Sequence, residues 1–291
     1  MARYIHMSDL HFWQVVRNPL KLLNKRALGN LNLLLRRRHQ IKTERATGLL
    51  DLLKGLEIDA FLVGGDLTTT ATEEEFRQAA DFLGQLTELA PVYLVPGNHD
   101  VYTFESRRKE RLEKYCFYWL PVEEGCSVDR LPGDVALLRI STARPNWISS
   151  RGHVPPEALA LLPDLLQEEK GKVMIALAHY PVIPETEAYV MGLNRGLGNG
   201  GALRRTLGEG GRSLLYLAGH VHVYSHLQDP LYPSLEQITT PALFYDKSDK
   251  PGGFTEIVVE GSELEIRPWV FDQGWQRVTA VHSRNKISLS F

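Results

Sequence analysis

Residues 91–100, PVYLVPGNHD, run from an apolar segment straight into an asparagine, a histidine and an aspartate. A short apolar run closed by turn residues reads as a buried strand. Its end carries Asn98, His99 and Asp100, side chains that can bind a metal or move a proton. Taken alone, GNHD is also an ordinary Asn/Asp turn. Four further runs end in the same manner. RYIHMSDLHFW (3–13) delivers Asp9 and His11, DAFLVGGD (59–66) delivers Asp66, KVMIALAHYP (172–181) delivers His179, and SLLYLAGHVH (213–222) delivers His220 and His222. The carboxyl ends of strands in an α/β sheet form a common crevice, so side chains distant in sequence are expected to meet there.

The remaining sequence supports an α/β fold. Ile41 to Leu56 and Thr72 to Leu89 have helical spacing, and Thr72 with Glu75 reads as a capping box. The second half adds the strand-like runs DVALLRIS (134–141), EQITT (236–240), FTEIVVE (254–260) and ELEIRPW (263–269), joined by short turns such as EGSE. A second sheet packed on the first is expected. No linker divides the chain, which reads as a single domain over residues 1–270 followed by a C-terminal extension, 271–291. Gly192 to Gly201 is glycine-rich but lacks dinucleotide-binding register and reads as a mobile loop.

Composition narrows the function classes. With 291 residues, 43% hydrophobic and 23% charged, the chain can bury a sizeable core. A net charge of -2 argues against binding through a whole-surface positive field, and no nucleic-acid partner is expected. Cys116 and Cys126 are too few for a disulfide framework and lack zinc-ribbon spacing, so a reducing cytoplasm is the expected location. The strand pattern begins at once, leaving no room for a secretory leader, and no apolar run reaches the length of a membrane span.

The five strand ends offer imidazole, carboxylate and carboxamide but no thiolate. That set suits manganese, iron, zinc or cobalt rather than a structural tetrathiolate zinc. It is also too large for one ion. Two divalent cations sharing a carboxylate would absorb it, an arrangement used to clamp phosphoryl groups for in-line displacement.

In order, DLH, GGD, GNHD, AHYP and GHVH resemble the five motif blocks of the calcineurin-like metallophosphoesterases, spanning residues 9 to 222. The resemblance implies a two-sheet αββα sandwich. It implies that Asp9, His11 and His222 hold one metal, that Asn98, His179 and His220 hold a second, and that Asp66 bridges them, with manganese expected before iron or zinc. His99 would face the substrate, donating a hydrogen bond or a proton. Asp100 either orients His99 or caps the turn.

Residues 14–40 differ from the rest of the chain. Arg17, Lys21, Lys25, Arg26, Arg36, Arg37 and Arg38 occur with no acid among them, and Leu20, Leu23, Ala27, Leu31 and Leu34 share one helical face. A basic amphipathic helix of this kind either packs on the protein's own core or meets anionic lipid. Three functional readings follow. The first is hydrolysis of a phosphodiester or pyrophosphate in a lipid-linked substrate at the inner face of the membrane. It is similar in kind to the enzymes that cleave UDP-diacylglucosamine. The second is a soluble phosphodiesterase of cyclic nucleotides or similar small diesters. The third is a metal-binding scaffold without turnover, which the complete ligand set disfavours. Arg144 and Arg195 are candidate substrate-phosphate ligands, and Trp13, Trp147 and Tyr180 are candidate stacking groups. Oligomeric state is not readable from the sequence.

Overall fold

The structure is a computed structural model that describes every residue except 15–38, 102–109, 122–124, 147–148, 170–172, 190–194, 248–249, 279, 284–285 and 290–291. The expected basic helix and Trp147 therefore lie outside the described residues.

Along the chain come β1 (Ala2–Met7), α1 (Ala46–Lys54), β2 (Ala60–Val63), α2 (Glu73–Thr87), β3 (Val92–Leu94), α3 (Arg111–Cys116), β4 (Cys126–Leu131) and β5 (Val135–Ile140). Next are α4 (Pro156–Glu168), β6 (Val173–Leu177), α5 (Gly200–Glu209), β7 (Leu214–Ala218), β8 (Ser225–Gln228) and β9 (Leu235–Thr239). A hairpin of β10 (Asp246–Lys247) and β11 (Lys250–Pro251) leads into β12 (Gly253–Glu260), β13 (Glu263–Phe271), β14 (Trp275–Arg277), β15 (Ala280–Ser283) and β16 (Lys286–Leu289).

These strands form two large sheets. One has the order β14-β13-β12-β1-β2-β3, the other β15-β16-β8-β9-β7-β6-β5-β4. Strands β1, β2 and β3 are mutually parallel, as are β5, β6, β7 and β9, so their carboxyl ends point the same way within each sheet. The period-2 alternation of strand side chains explains the layering. Tyr4, Leu62, Leu137, Ile175 and Leu217 face inward and fill the space between the sheets. Ile5, Met7, Phe61 and Val63 face outward onto α1 and α2, while Leu138, Ala176 and Tyr216 face outward onto α4 and α5. The αββα sandwich follows.

The capping box at α2 is present. Glu75 does more than close it, because its buried carboxylate also accepts the amides of Gln14 and Thr70 and the Thr70 hydroxyl. The segment 68–72 that follows β2 is thereby pinned. One expectation is corrected. The glycine-rich stretch 192–201 does not remain a loop to its end, because Gly200 and Gly201 form the first turn of α5. The Asn199 carbonyl accepts the amides of Ala202 and Leu203, and Leu203 and Leu207 bury the helix on the second sheet. Burial of that face outweighs the roughly 1 kcal/mol that each helical glycine costs. No helix of the described residues is long and apolar enough to cross a membrane.

Candidate metal centre

The segment after β1 is built to aim two side chains outward. Leu10 and Phe12 bury themselves in the helix-side core, where the Phe12 ring meets Phe82 and Phe244 at 5.8 and 5.9 Å, so Asp9 and His11 must point the opposite way. Three hydrogen bonds lay this segment beside the end of β2: Asp9 to Gly65, His11 to Asp66 and Phe12 to Leu67. Asp9 also accepts the His220 amide (2.9 Å), which ties the first sheet to the second.

Asp9, His11, Asp66, Asn98, His99, His179, His220 and His222 are thus brought together from five strand ends. The strands lie in two sheets rather than one, β1 to β3 in the first and β6 and β7 in the second. The crevice is the open edge of the sandwich. Asp9, His11, Asp66, His220 and His222 all adopt left-handed backbone with φ of 53°, 51°, 51°, 69° and 58°. Each such conformation costs a non-glycine residue about 1–3 kcal/mol, and strain of this kind concentrates at functional sites.

Backbone carbonyls set the histidine tautomers. His179 Nδ1 lies 2.7 Å from the Gly64 carbonyl, His11 Nδ1 3.3 Å from that of Thr68, and His99 Nδ1 2.6 Å from that of Thr69. A carbonyl only accepts, so Nδ1 carries the proton and Nε2 is turned the other way. His220 is reversed, its Nε2–H donating to the Arg195 carbonyl (3.0 Å) while Nδ1 faces inward.

This wiring supplies a test of metal fit. His11 Nε2 and His222 Nε2 stand 3.2 Å apart, and both His179 Nε2 and His220 Nδ1 approach Asn98 Oδ1, at 3.2 and 3.1 Å. With those tautomers, His179 Nε2 and His220 Nδ1 are acceptors facing the Asn98 carbonyl oxygen, and His11 Nε2 is an acceptor facing a second imidazole. Asp9 Oδ1 is buried and receives no well-aligned hydrogen bond, although His222 Nε2 lies 3.0 Å away. A cation is what reconciles such a set. Ligand atoms cluster as Asp9, His11 and His222, as His11, Asp66 and His99, and as Asp9, Asp66 and His179, all within 4.8 Å in each group. The donors therefore fit divalent metal.

With no cation counted, a proton on an imidazole takes its place beside the carboxylates. Burial opposes ionisation of Asp9 and Asp66, yet His222 beside Asp9 and His179 beside Asp66 hold both carboxyls below the usual range. Burial would lower His179, but the Asp66 carboxylate pulls it up to about 9. His220 is pushed down to about 3, by burial and then by its neighbour His179. Asp100 rises to about 7 through burial and the proximity of Asp66. Its carboxylate accepts Thr68 and Gly97 amides, so it locks the 97–100 turn to the loop after β2 rather than bonding the His99 ring.

The crevice opens into a cavity of about 310 Å³ bounded by Asp66, Asn98, His99, His220 and His222. Arg195 is on its wall; Arg144 is not, and borders a separate cavity of about 300 Å³ with Pro96, Val101 and Leu112. Two stacking candidates are also corrected. Tyr180 is fully buried with its hydroxyl donating to the Ser150 carbonyl, and Trp13 packs against the helix-side core. Sequence reading missed Tyr189, Tyr245 and Lys250, which complete the cavity wall. No motif spacing points to them.

A family model described as calcineurin-like phosphoesterase matches residues 2–224. A curated relative from Colwellia psychrerythraea, named "Probable cyclic nucleotide phosphodiesterase", is 25% identical over 144 residues, 50% of this chain and 49% of that protein. The chain thus matches about half the length of that relative. Among solved structures, a dimetal phosphatase from Danio rerio superposes with a TM-score of 0.63 at 12% identity, covering 95% of both chains. A purple acid phosphatase from yellow lupin (Lupinus luteus) seeds does so with a TM-score of 0.60 at 14% identity, covering 92% of this chain and 51% of that one. At these identities the structural likeness establishes the fold.

Proposed function

From the premise that the chain belongs to the calcineurin-like phosphoesterase family, we propose that it hydrolyses a phosphodiester or phosphoanhydride with two divalent cations. The observation that carries this reading is the convergence of His179 and His220 on Asn98, of His179 on Asp66 and of His11 on His222, which leaves a cation as their natural partner. Asp9, His11 and His222 would hold one ion, Asn98, His179 and His220 the other, and Asp66 would serve both. When bound, the ions supply Lewis acidity, polarising the phosphoryl oxygens and making water acidic enough to attack.

The chain's own residues do the positioning. The carbonyls of Gly64, Thr68 and Thr69 fix three imidazole rings, so little reorganisation is needed as charge develops. His99 is held through its Nδ1–H to the Thr69 carbonyl, which leaves Nε2 for the substrate, where the imidazolium form would give a proton to the leaving oxygen. Two substrate classes remain in this proposal. A small diester is supported by the name of the curated relative. An amphiphilic, lipid-linked phosphate such as UDP-diacylglucosamine, with docking on an anionic membrane, is supported by the composition of residues 14–40.

The test is hydrolysis of an aryl phosphodiester. Activity should vanish on chelation and return with Mn²⁺, and Asp66→Asn should lose both activity and bound metal. His99→Ala should keep its metal content yet fall by about 10²- to 10⁴-fold in rate. Full activity in verified metal-free protein would overturn the reading.

A further inference from the structure

Two cations stand on the cavity wall without belonging to the metal centre. Arg195 is anchored at one end by its carbonyl, which accepts from His220. Lys250 opens β11, on the hairpin entered through Tyr245, whose ring meets that of His222 edge-on at 4.8 Å. Both border the cavity that contains Asp66, Asn98 and His99. Neither makes an ion pair with an acid among the described residues, and the acid of the Lys250 hairpin, Asp246, is taken by Arg45 at 2.7 Å. Their charges are therefore not spent on the protein.

A count of charge shows what they are available for. Two divalent ions bring four positive charges, and Asp9 and Asp66 return two; neutral imidazoles and the Asn98 amide return none. The remaining excess of two falls to one once the attacking water has lost its proton, and the single charge of a diester already matches that. Arg195 and Lys250, on the wall of the cavity of about 310 Å³, add two more positive charges that a single diester leaves unmatched. Such a cavity favours a ligand whose negative charge extends beyond the phosphoryl group being cleaved. We propose that Arg195 and Lys250 form an anion subsite flanking the centre, which selects substrates carrying a second phosphate, as in a phosphoanhydride diester, over single phosphodiesters. This inference rests on the phosphoesterase reading above.

Matched probes separate the two. 4-Nitrophenyl thymidine 5′-phosphate has one phosphate and one negative charge; thymidine 5′-diphosphoglucose has the same nucleoside with two of each. With the Mn²⁺-loaded full chain, calorimetry and competition kinetics should show the diphosphate binding at least about tenfold more tightly. Lys250→Gln and Arg195→Gln should each weaken diphosphate binding by about tenfold and weaken the monophosphate diester several-fold less, while Lys250→Arg should restore most of the diphosphate affinity. Equal affinity for the two probes in the wild type, or parallel weakening of both in the variants, overturns the subsite. The phosphoesterase reading then survives as long as the nitrophenyl diester is cleaved. Failure of the metal-loaded protein to cleave either probe defeats the parent reading, and the subsite with it.

Discussion

At the scale of single residues, Gly97 shows how tightly the centre is built. A Cβ there would fall 2.2 Å from both the Asp66 amide nitrogen and its Oδ1, so no other residue fits without moving the Asp66 carboxylate. Gly219 has the same role opposite, where a Cβ would lie 2.3 Å from Asp9 Oδ2. Gly97→Ala should fold, bind metal more weakly and lose about 10²-fold in rate, the cost that a displacement of about 1 Å can carry at a reacting centre. Metal content and kcat measured together check this; a variant with wild-type values of both would show that Asp66 tolerates the shift. The polar groups at this scale were legible because each closes an apolar run: Asp9, Asp66, Asn98, His179 and His220 all stand where a strand ends. Tyr189, Tyr245 and Lys250 were not. They reach the cavity through irregular segments and a two-residue-strand hairpin, and only the fold reveals that these come back to the crevice. Arg144 misled for the same reason, because its loop approaches the site on the far side of the 96–101 turn.

Among the elements, helices with a clean apolar period and a cap were readable, and α2 with Thr72 and Glu75 is the clearest. The helices α4 and α5 were not. Pro163 sits inside α4, where proline ordinarily ends a helix, and α5 begins on two glycines. Tertiary contacts override these local signals. For α5 a principal contact is Arg204, whose guanidinium grips the buried Asp229 carboxylate just after β8 at 2.5 and 2.7 Å. Asp229 also accepts the amides of Leu231 and Tyr232. Burial opposes its ionisation, but the Arg204 and amide bonds hold its carboxyl below the ordinary value. A depressed carboxylate contributes stability that is present above its unfolded pKa and lost as pH falls through the folded one. Asp229→Ala should therefore cost about 3 kcal/mol near neutrality, at the lower edge of what orphaning half of a buried pair costs. The gap from wild type should narrow as pH drops below about 4. Denaturant unfolding at several pH values checks it, and a gap that stays constant with pH would mean the pair contributes packing alone.

For the whole molecule, the αββα architecture was foreseeable from two groups of strands with helices between them, whereas the split of the five motif strands across both sheets was not. Strand ends read the same whichever sheet they belong to. That split predicts that metal acts as a clamp on the sandwich, because Asp9, His11, Asp66 and Asn98 come from the first sheet and His179, His220 and His222 from the second. A ligand present at a hundred times its dissociation constant stabilises the folded state by about 2.7 kcal/mol. In a protein of this size that is about 5–10 °C in Tm. Chelation should lower Tm by that amount, Mn²⁺ should restore it, and Asp66→Asn should respond to neither. A wild-type Tm indifferent to chelator would show that the two sheets hold the centre and gain nothing from it.

The bond from the His220 amide to Asp9 joins residues 211 positions apart. On the ribosome, Asp9, His11, Asp66 and Asn98 emerge long before the histidines that complete their surroundings, and closing so long a loop is among the slower steps of folding. The centre is complete only where the second sheet lies against the first. A nascent chain that ends before His220 carries Asp9, His11, Asp66, Asn98, His99 and His179 but lacks the two histidines, and the amide bond to Asp9, that complete the cluster.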